Sequence, residues 1–157
     1  NVGFTLQFDD APSEPIEIAH RAGAPSYDAD VNVNEPNIST LDSGYQLIEV
    51  PLEAIAWGRS GDKGNKANIG IIARHRNLLP YIWDTFSEEK IVEIFSHFLE
   101  NDKVDRHYLP GISGVNYVLH DVLGGGGTTS LRNDPQGKGY AQILLSCKIS
   151  VPKNLLV

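Results

Sequence analysis

Arg59, Ser60, Asp62, Lys63, Asn65 and Asn68 lie in one stretch, Trp57–Asn68, with glycines at 58, 61 and 64 and a further cation, Lys66. Glycines permit positive φ and close backbone approach. Successive N–H groups in such a stretch can form a nest for an anion, and Arg59, Lys63 and Lys66 add charge. Asp62 could orient Arg59 or Lys63, or accept a proton. The stretch is neither a phosphate-binding P-loop nor a dinucleotide turn, because both spacings are absent and a strand, not a helix, is predicted to follow. A purely structural reading stays open: a hairpin held by Asp62 pairing with Lys or Arg, and by Asn65 and Asn68 bonding to backbone.

A second stretch has related chemistry. Gly124, Gly125, Gly126 and Gly127 are followed by Ser130, Arg132, Asp134, Gln136 and Lys138. Each glycine costs about 0.5–1 kcal/mol relative to alanine in regular structure. Tight packing, a mobile flap or a closely approaching ligand would offset that; a helix cap followed by a loose turn is the simpler alternative. If the two stretches meet, Arg59, Lys63, Arg132 and Lys138 would form an electropositive pocket for a carboxylate, a phosphate or a coenzyme A thioester.

Other chemistry is harder to find. No two of His20, His75, His97, His107 and His120 have the i, i+4 helical spacing of metal ligands, so no metal site is expected. His75 reads as solvated, and His97 and His120 as satisfied histidines at the core edge. There is no Gly-x-Ser-x-Gly elbow, and Ser60 has no legible base partner. Catalytic residues are therefore unassigned, whether the chain is an enzyme stays open, and no cofactor is expected. Cys147 is the single cysteine and reads as an inert buried thiol among Leu144, Leu145, Ile149 and Val151. Trp57 and Trp83 read as core residues, with stacking as the alternative for Trp57.

The elements that must position these residues follow from periodicity. Phe4, Leu6 and Phe8 alternate in a short first strand, which starts as though cut from a preceding sheet. Residues 9–46 are acidic, hold four prolines and few large apolar groups, and read as a linker able to lie along another body. Leu47, Val50, Leu52, Ile55 and Trp57 are expected to be buried, with a strand over 52–57 after a kink at Pro51. Residues 58–66 are expected to form a wide loop, leading to an antiparallel strand over 67–74. A short helix is predicted over 77–85, and a longer one from a Ser87 cap to about residue 100. A strand over 103–109 follows. A helix from Ser113 to Leu123 is expected next, with Val115, Val118, Leu119, Val122 and Leu123 on its apolar face. A short strand at 128–132 and a strand over Tyr140–Val151 complete the reading. Helices interspersed with antiparallel strands imply an α+β fold: a ferredoxin-like antiparallel sheet with helices on one face, plus an extended N-terminal arm. The expected division is 1–46, strand remnant and acidic Pro-rich linker, and 47–157, the compact domain.

The length of 157 residues suits one domain. The net charge of −7 is unevenly placed: residues 1–50 carry nine acids against one base, and residues 51–157 eleven against twelve. Neither part has the clustered basic face of a nucleic-acid binder. No apolar run suits a membrane helix and no signal peptide is legible, so a cytoplasmic location and no membrane partner are expected. The chain has no methionine and is expected to be a piece of a longer protein.

Several motifs recur in order: Val50-Pro-Leu, Arg59-Ser-Gly-Asp-Lys-Gly-Asn65, Asn68-Ile-Gly-Ile-Ile-Ala73, Tyr108-Leu-Pro-Gly-Ile112, Asn116-Tyr-Val-Leu119, Leu123-Gly-Gly-Gly-Gly127, Ser130-Leu-Arg132 and Asp134-Pro-Gln-Gly-Lys138. In these the chain resembles the small C-terminal domain of the AtuA-like, acyclic terpene utilisation, family over about residues 48–152. The acidic linker departs from the family pattern. The resemblance implies a ferredoxin-type fold, a larger N-terminal domain as partner, and a setting in the catabolism of branched terpenoid acyl-CoA compounds. It supplies no catalytic residues. The expected function is an accessory domain that binds an acyl-CoA-type or other anionic ligand, or completes a site with its partner domain, through Arg59, Ser60, Asp62, Lys63, Asn65, Asn68, Gly125, Gly126, Ser130, Arg132, Asp134, Gln136 and Lys138. The alternative is a structural or oligomerisation module with no ligand of its own. A homo-oligomer is expected.

Overall fold

The computed structural model describes residues 4–6, 14–16, 34–37 and 44–156. The chain divides into two units, residues 1–32 and 33–157. In the first, β1 (Phe4–Leu6) pairs antiparallel with β2 (Glu14–Ile16), so a strand falls inside the stretch read as linker. The rest of the expected arm lies largely outside the described residues.

In the second unit, β3 (Leu47–Pro51) pairs antiparallel with β8 (Lys148–Pro152). The main sheet has the order β4 (Ala56–Lys63), β5 (Lys66–Ala73), β7 (Gly114–Leu119), β6 (Val104–Leu109), antiparallel at every step. Helices α1 (Leu79–Thr85) and α2 (Glu88–Phe95) connect β5 to β6, and α3 (Tyr140–Ser146) precedes β8. All three pack on one face. This is the expected α+β class, with an antiparallel sheet and helices on one side.

Period-two alternation builds that face. Ala67, Ile69, Ile71 and Ala73 of β5 are buried, as are Val115, Tyr117 and Leu119 of β7. Opposite them lie Ile82 of α1, Ile91 and Phe95 of α2, and Ala141 and Leu144 of α3. Each fully buried Leu, Ile or Phe contributes about 1.5–3 kcal/mol. Ser87 caps α2 by accepting from Lys90 N at 3.3 Å, and Glu88 and Glu89 sit in the first turn, where the helix dipole favours anions. Tyr117 donates its hydroxyl to Phe86 O at 2.8 Å, and burial pushes that phenol well above the usual tyrosine range. Arg106 ties β6 to the helices. Its Nη1 donates to Trp83 O at 2.6 Å, its guanidinium lies 3.8 Å from the Trp83 ring centroid, and Nε is 3.0 Å from Glu88, as an ion pair without hydrogen-bond alignment.

The structure corrects several expectations. The wide loop at 58–66 is absent: β4 runs on to Lys63, and the turn is Gly64-Asn65 alone, with Gly64 at φ 68°. Its glycines suggested a loop, but β5 offers a partner for every residue of β4. The expected helix over 113–123 is the strand β7. Residues 115, 118, 119, 122 and 123 fit a helical face, yet Val115, Tyr117 and Leu119 also fit period two, and flanking strands on both sides decide between them. The expected strand over 140–151 is helix α3 and then β8, joined at an extended Cys147. Residues 128–132 form turns and no strand. Helix α2 ends at Phe95, short of residue 100. A 3-10 turn, Leu52–Ala54, starts the predicted strand over 52–57, which begins at Ala56. Trp57 is 54% exposed and Leu47 is also exposed, against the expected burial. Cys147 is half-buried, and burial raises its thiol pKa.

Candidate functional site

Alternation along β4 separates the residues of the first stretch. Gly58, Ser60 and Asp62 face the helices: a Cβ on Gly58 would meet Ile71 and Leu145, and Ser60 bonds to the start of α3. Trp57, Arg59, Gly61 and Lys63 face the other way. The strand register then sets rows across this open face. Trp57, Ile72, Gly114 and Leu109 are aligned, then Arg59, Gly70, Asn116 and His107, then Gly61, Asn68, Val118 and Asp105, and last Lys63 beside Lys66. Rows two residues apart are about 6.6 Å apart, so the first and last lie about 20 Å from each other.

The face changes character along that length. Its first row is apolar and exposed: Trp57, Ile72 and Leu109, joined by Ile112 at 53% exposure, line a shallow groove of about 230 Å³. Arg74 lies over the Trp57 ring, 4.5 Å from its centroid. The middle is polar, and it is low at Gly70, which presents no side chain. Asn68 Nδ2 donates to Asn116 Oδ1 at 3.1 Å across it. Arg59 stands exposed in the second row, and the far end is cationic, with Lys63 and Lys66 both exposed.

Lys138 joins that end from the second stretch. A Cβ on Gly61 would lie 3.0 Å from Lys138 Nζ, so the ammonium occupies the room left by the missing side chain. Gly61 sits between Arg59 and Lys63 on the same side of β4, which brings three cations together. Asp62 Oδ1 is 3.8 Å from Lys138 Nζ, an exposed pair worth little by itself.

The two stretches do meet. Asn65 clamps them: its backbone O accepts from Val122 N at 3.0 Å, its Oδ1 accepts from Gly125 N at 2.8 Å, and its Nδ2 donates to Asp121 Oδ1 at 3.1 Å. Gly126 packs against the Gly64 carbonyl, leaving no room for a side chain. Ser60, 5% exposed, donates Oγ to Lys138 O at 3.1 Å and accepts from Ala141 N at 2.9 Å. Asp134 accepts from Lys138 N at 3.0 Å and Gly139 N at 2.8 Å, ordering the turn before α3. Ser130 Oγ accepts from Arg132 N at 3.3 Å, and Gln136 is exposed.

The four-cation pocket expected from the sequence is not assembled. Arg132 is held in the helix layer, where Nη1 donates to Val122 O at 2.8 Å and Cζ lies 5.8 Å from the Phe98 ring centroid. Tyr140 Oη donates to the same Val122 carbonyl at 3.0 Å. Arg59, Lys63 and Asn68 therefore share the open face with the Lys138 ammonium. Ser60, Asn65, Gly125 and Gly126 make contacts that hold the two stretches together, while Ser130, Arg132 and Asp134 order the second stretch from within and against Val122.

Sequence reasoning missed the apolar end of the face, because the expected helix over 113–123 hid the sheet. The alternation of β5 was the available signal: once 67, 69, 71 and 73 are buried, Asn68, Gly70 and Ile72 must face outward. It also missed Asp105, whose Oδ2 lies 2.6 Å from Nε2 of the buried His120. That bond, first among its causes, holds the Asp105 carboxyl below the usual carboxylate range.

Among the described residues no group of three or more His, Cys, Asp or Glu is placed to hold a metal ion, and no helix is long and apolar enough to cross a membrane. No curated protein and no solved structure matches the chain. The family model of the AtuA ferredoxin-like domain matches residues 50–150, a span that begins with the last residues of β3 and ends within β8. With that match over most of its length, and with the antiparallel sheet and one-sided helices on which it falls, the chain belongs to the AtuA ferredoxin-like domain family.

Proposed function

We propose that this domain binds an amphipathic anion of the acyl-CoA class along the open face of its main sheet, as an accessory to a larger N-terminal domain. The observation that carries this reading is the gradient along the face: an exposed apolar row at Trp57, Ile72 and Leu109, Arg59 in the next row about 6.6 Å on, and beyond it the Lys138 ammonium at Gly61 and Lys63, the last about 20 Å from the apolar row. An acyl group lies over the apolar row. The glycine-floored middle admits a linker close to the backbone, and Asn68 and Asn116 supply amide donors and acceptors there. The charged group meets the lysines and Arg59, whose fork suits phosphate or carboxylate. The reading assigns binding and orientation to this chain and no bond-making step.

Calorimetric titration with coenzyme A and short branched acyl-CoAs tests it, with Trp57 emission as a second signal. A charge-assisted contact is worth about 1.5–3 kcal/mol, so Arg59→Ala or Lys63→Ala weakens binding about tenfold or more. Trp57→Ala lowers affinity for the acyl forms and leaves free coenzyme A nearly unchanged. No heat with any of these ligands overturns the proposal, as does binding that ignores all three substitutions.

A further inference from the structure

A second surface lies on the helix side, away from the open face. Phe98, Tyr140 and Ile143 form the apolar wall of a groove of about 690 Å³, with His97, Arg132 and Asp134 on its rim. The wall is rigid by construction. Phe98 stacks on Tyr140 with centroids 5.1 Å apart, Tyr140 packs on Phe95 at 5.4 Å, and His97 lies on Phe98 at 3.9 Å. On the same rim Leu131 is 101% exposed, the most exposed large apolar side chain among the described residues. Nothing in local structure calls for a leucine there: the residues around it form turns, and its neighbours Ser130 and Arg132 hold the backbone without it.

We propose that a second copy of this chain covers the groove, in a two-fold dimer where each Leu131 enters the other's groove. A knob beside a hole on one surface is what a two-fold requires, because such an interface joins a patch to itself. The rim charges agree. Arg132 and Asp134 both line the groove and carry opposite signs, so a two-fold can pair each Arg132 with the partner's Asp134. Asp134 spends one lone pair of each oxygen on Lys138 N and Gly139 N and keeps acceptor capacity for a guanidinium. A rigid apolar wall with a charged rim is the usual anatomy of a specific interface. The open face, with Trp57 and Arg59, stays free for a ligand in this dimer.

Sedimentation equilibrium of the full chain over a wide concentration range tests the dimer. Leu131→Asp is a clean perturbation, since a fully exposed side chain holds nothing in the monomer and the variant keeps the wild-type melting temperature. It weakens dimerisation about a hundredfold or more, because burying one leucine is worth about tenfold and the two-fold counts the loss twice. Ile143→Glu damages the hole instead of the knob and also gives monomers. Mixing the two variants restores a heterodimer, since one knob and one hole remain intact. A wild-type chain that stays monomeric throughout overturns the proposal. So does a dimer indifferent to Leu131→Asp, or one abolished by Trp57→Asp, which would place the contact on the open sheet face.

Discussion

Gly126→Ala probes the junction between the two glycine-rich stretches. Gly126 has φ 71°, and a Cβ built there lies 2.6 Å from the Gly64 carbonyl carbon, 3.1 Å from Asn65 N and closer still to the Gly64 oxygen. All three atoms are backbone, so no side chain can swing away. An L-residue at positive φ costs about 1–2 kcal/mol. Relieving the clash moves the hairpin turn off the 122–126 segment and loosens the Gly125 N–Asn65 Oδ1 and Val122 N–Asn65 O bonds, each worth about 1 kcal/mol. The expected destabilisation is about 3–4 kcal/mol. Gly127→Ala is the control: φ is 52°, but nothing lies within 4 Å of the added Cβ, so only the backbone term of about 1–2 kcal/mol remains. Urea unfolding followed by far-UV circular dichroism measures both, and the difference of about 2 kcal/mol separates the midpoints by about 1 M at an ordinary slope. Equal losses in the two variants would refute the packing argument and leave only conformational freedom to explain the glycines.

Two further outcomes follow from the same contacts. Ser60→Ala leaves the Ala141 amide without its acceptor in a buried position at the start of α3, and should cost about 1–3 kcal/mol in denaturant unfolding, with little change from Gln136→Ala on the exposed side of the same turn. Asp105 contributes to acid stability: its carboxyl is held below the ordinary value of 3.8, so its stabilisation is present above that pH and is lost as pH falls through the lower folded value. Melting temperature measured from neutral pH downward should fall more steeply through that acid window in the wild type than in Asp105→Asn, and parallel curves would show that the His120 contact does not act on the folded state.

How much was legible in the sequence depends on whether a residue's role is local. Ser87 with Glu88 and Glu89 is a helix start whatever surrounds it, because the cap and the dipole act within one turn. The alternation of Ala67, Ile69 and Ile71 marks a strand for the same reason. The stretch Trp57–Asn68 and the glycine run could be singled out from composition alone, and so could the idea that they meet. Their roles could not. Period two assigns Arg59 and Lys63 to one side of β4 and Ser60 and Asp62 to the other, but only once that stretch is known to be strand. That is decided by β5 pairing with it residue for residue. The apolar run of 115–123 suits a helix or a strand, and the edges offered by β5 and β6 select the strand. The open face exists only after that choice. Lys138 reaches Gly61 across seventy-seven positions of sequence, and Leu131 stands exposed beside Phe98 and Ile143 from other elements. Sequence by itself determined which residue types were available for anion binding and where the helices α1 and α2 begin. Tertiary structure alone decided which of those residues share a surface, because strand pairing, not spacing, sets the side each residue faces.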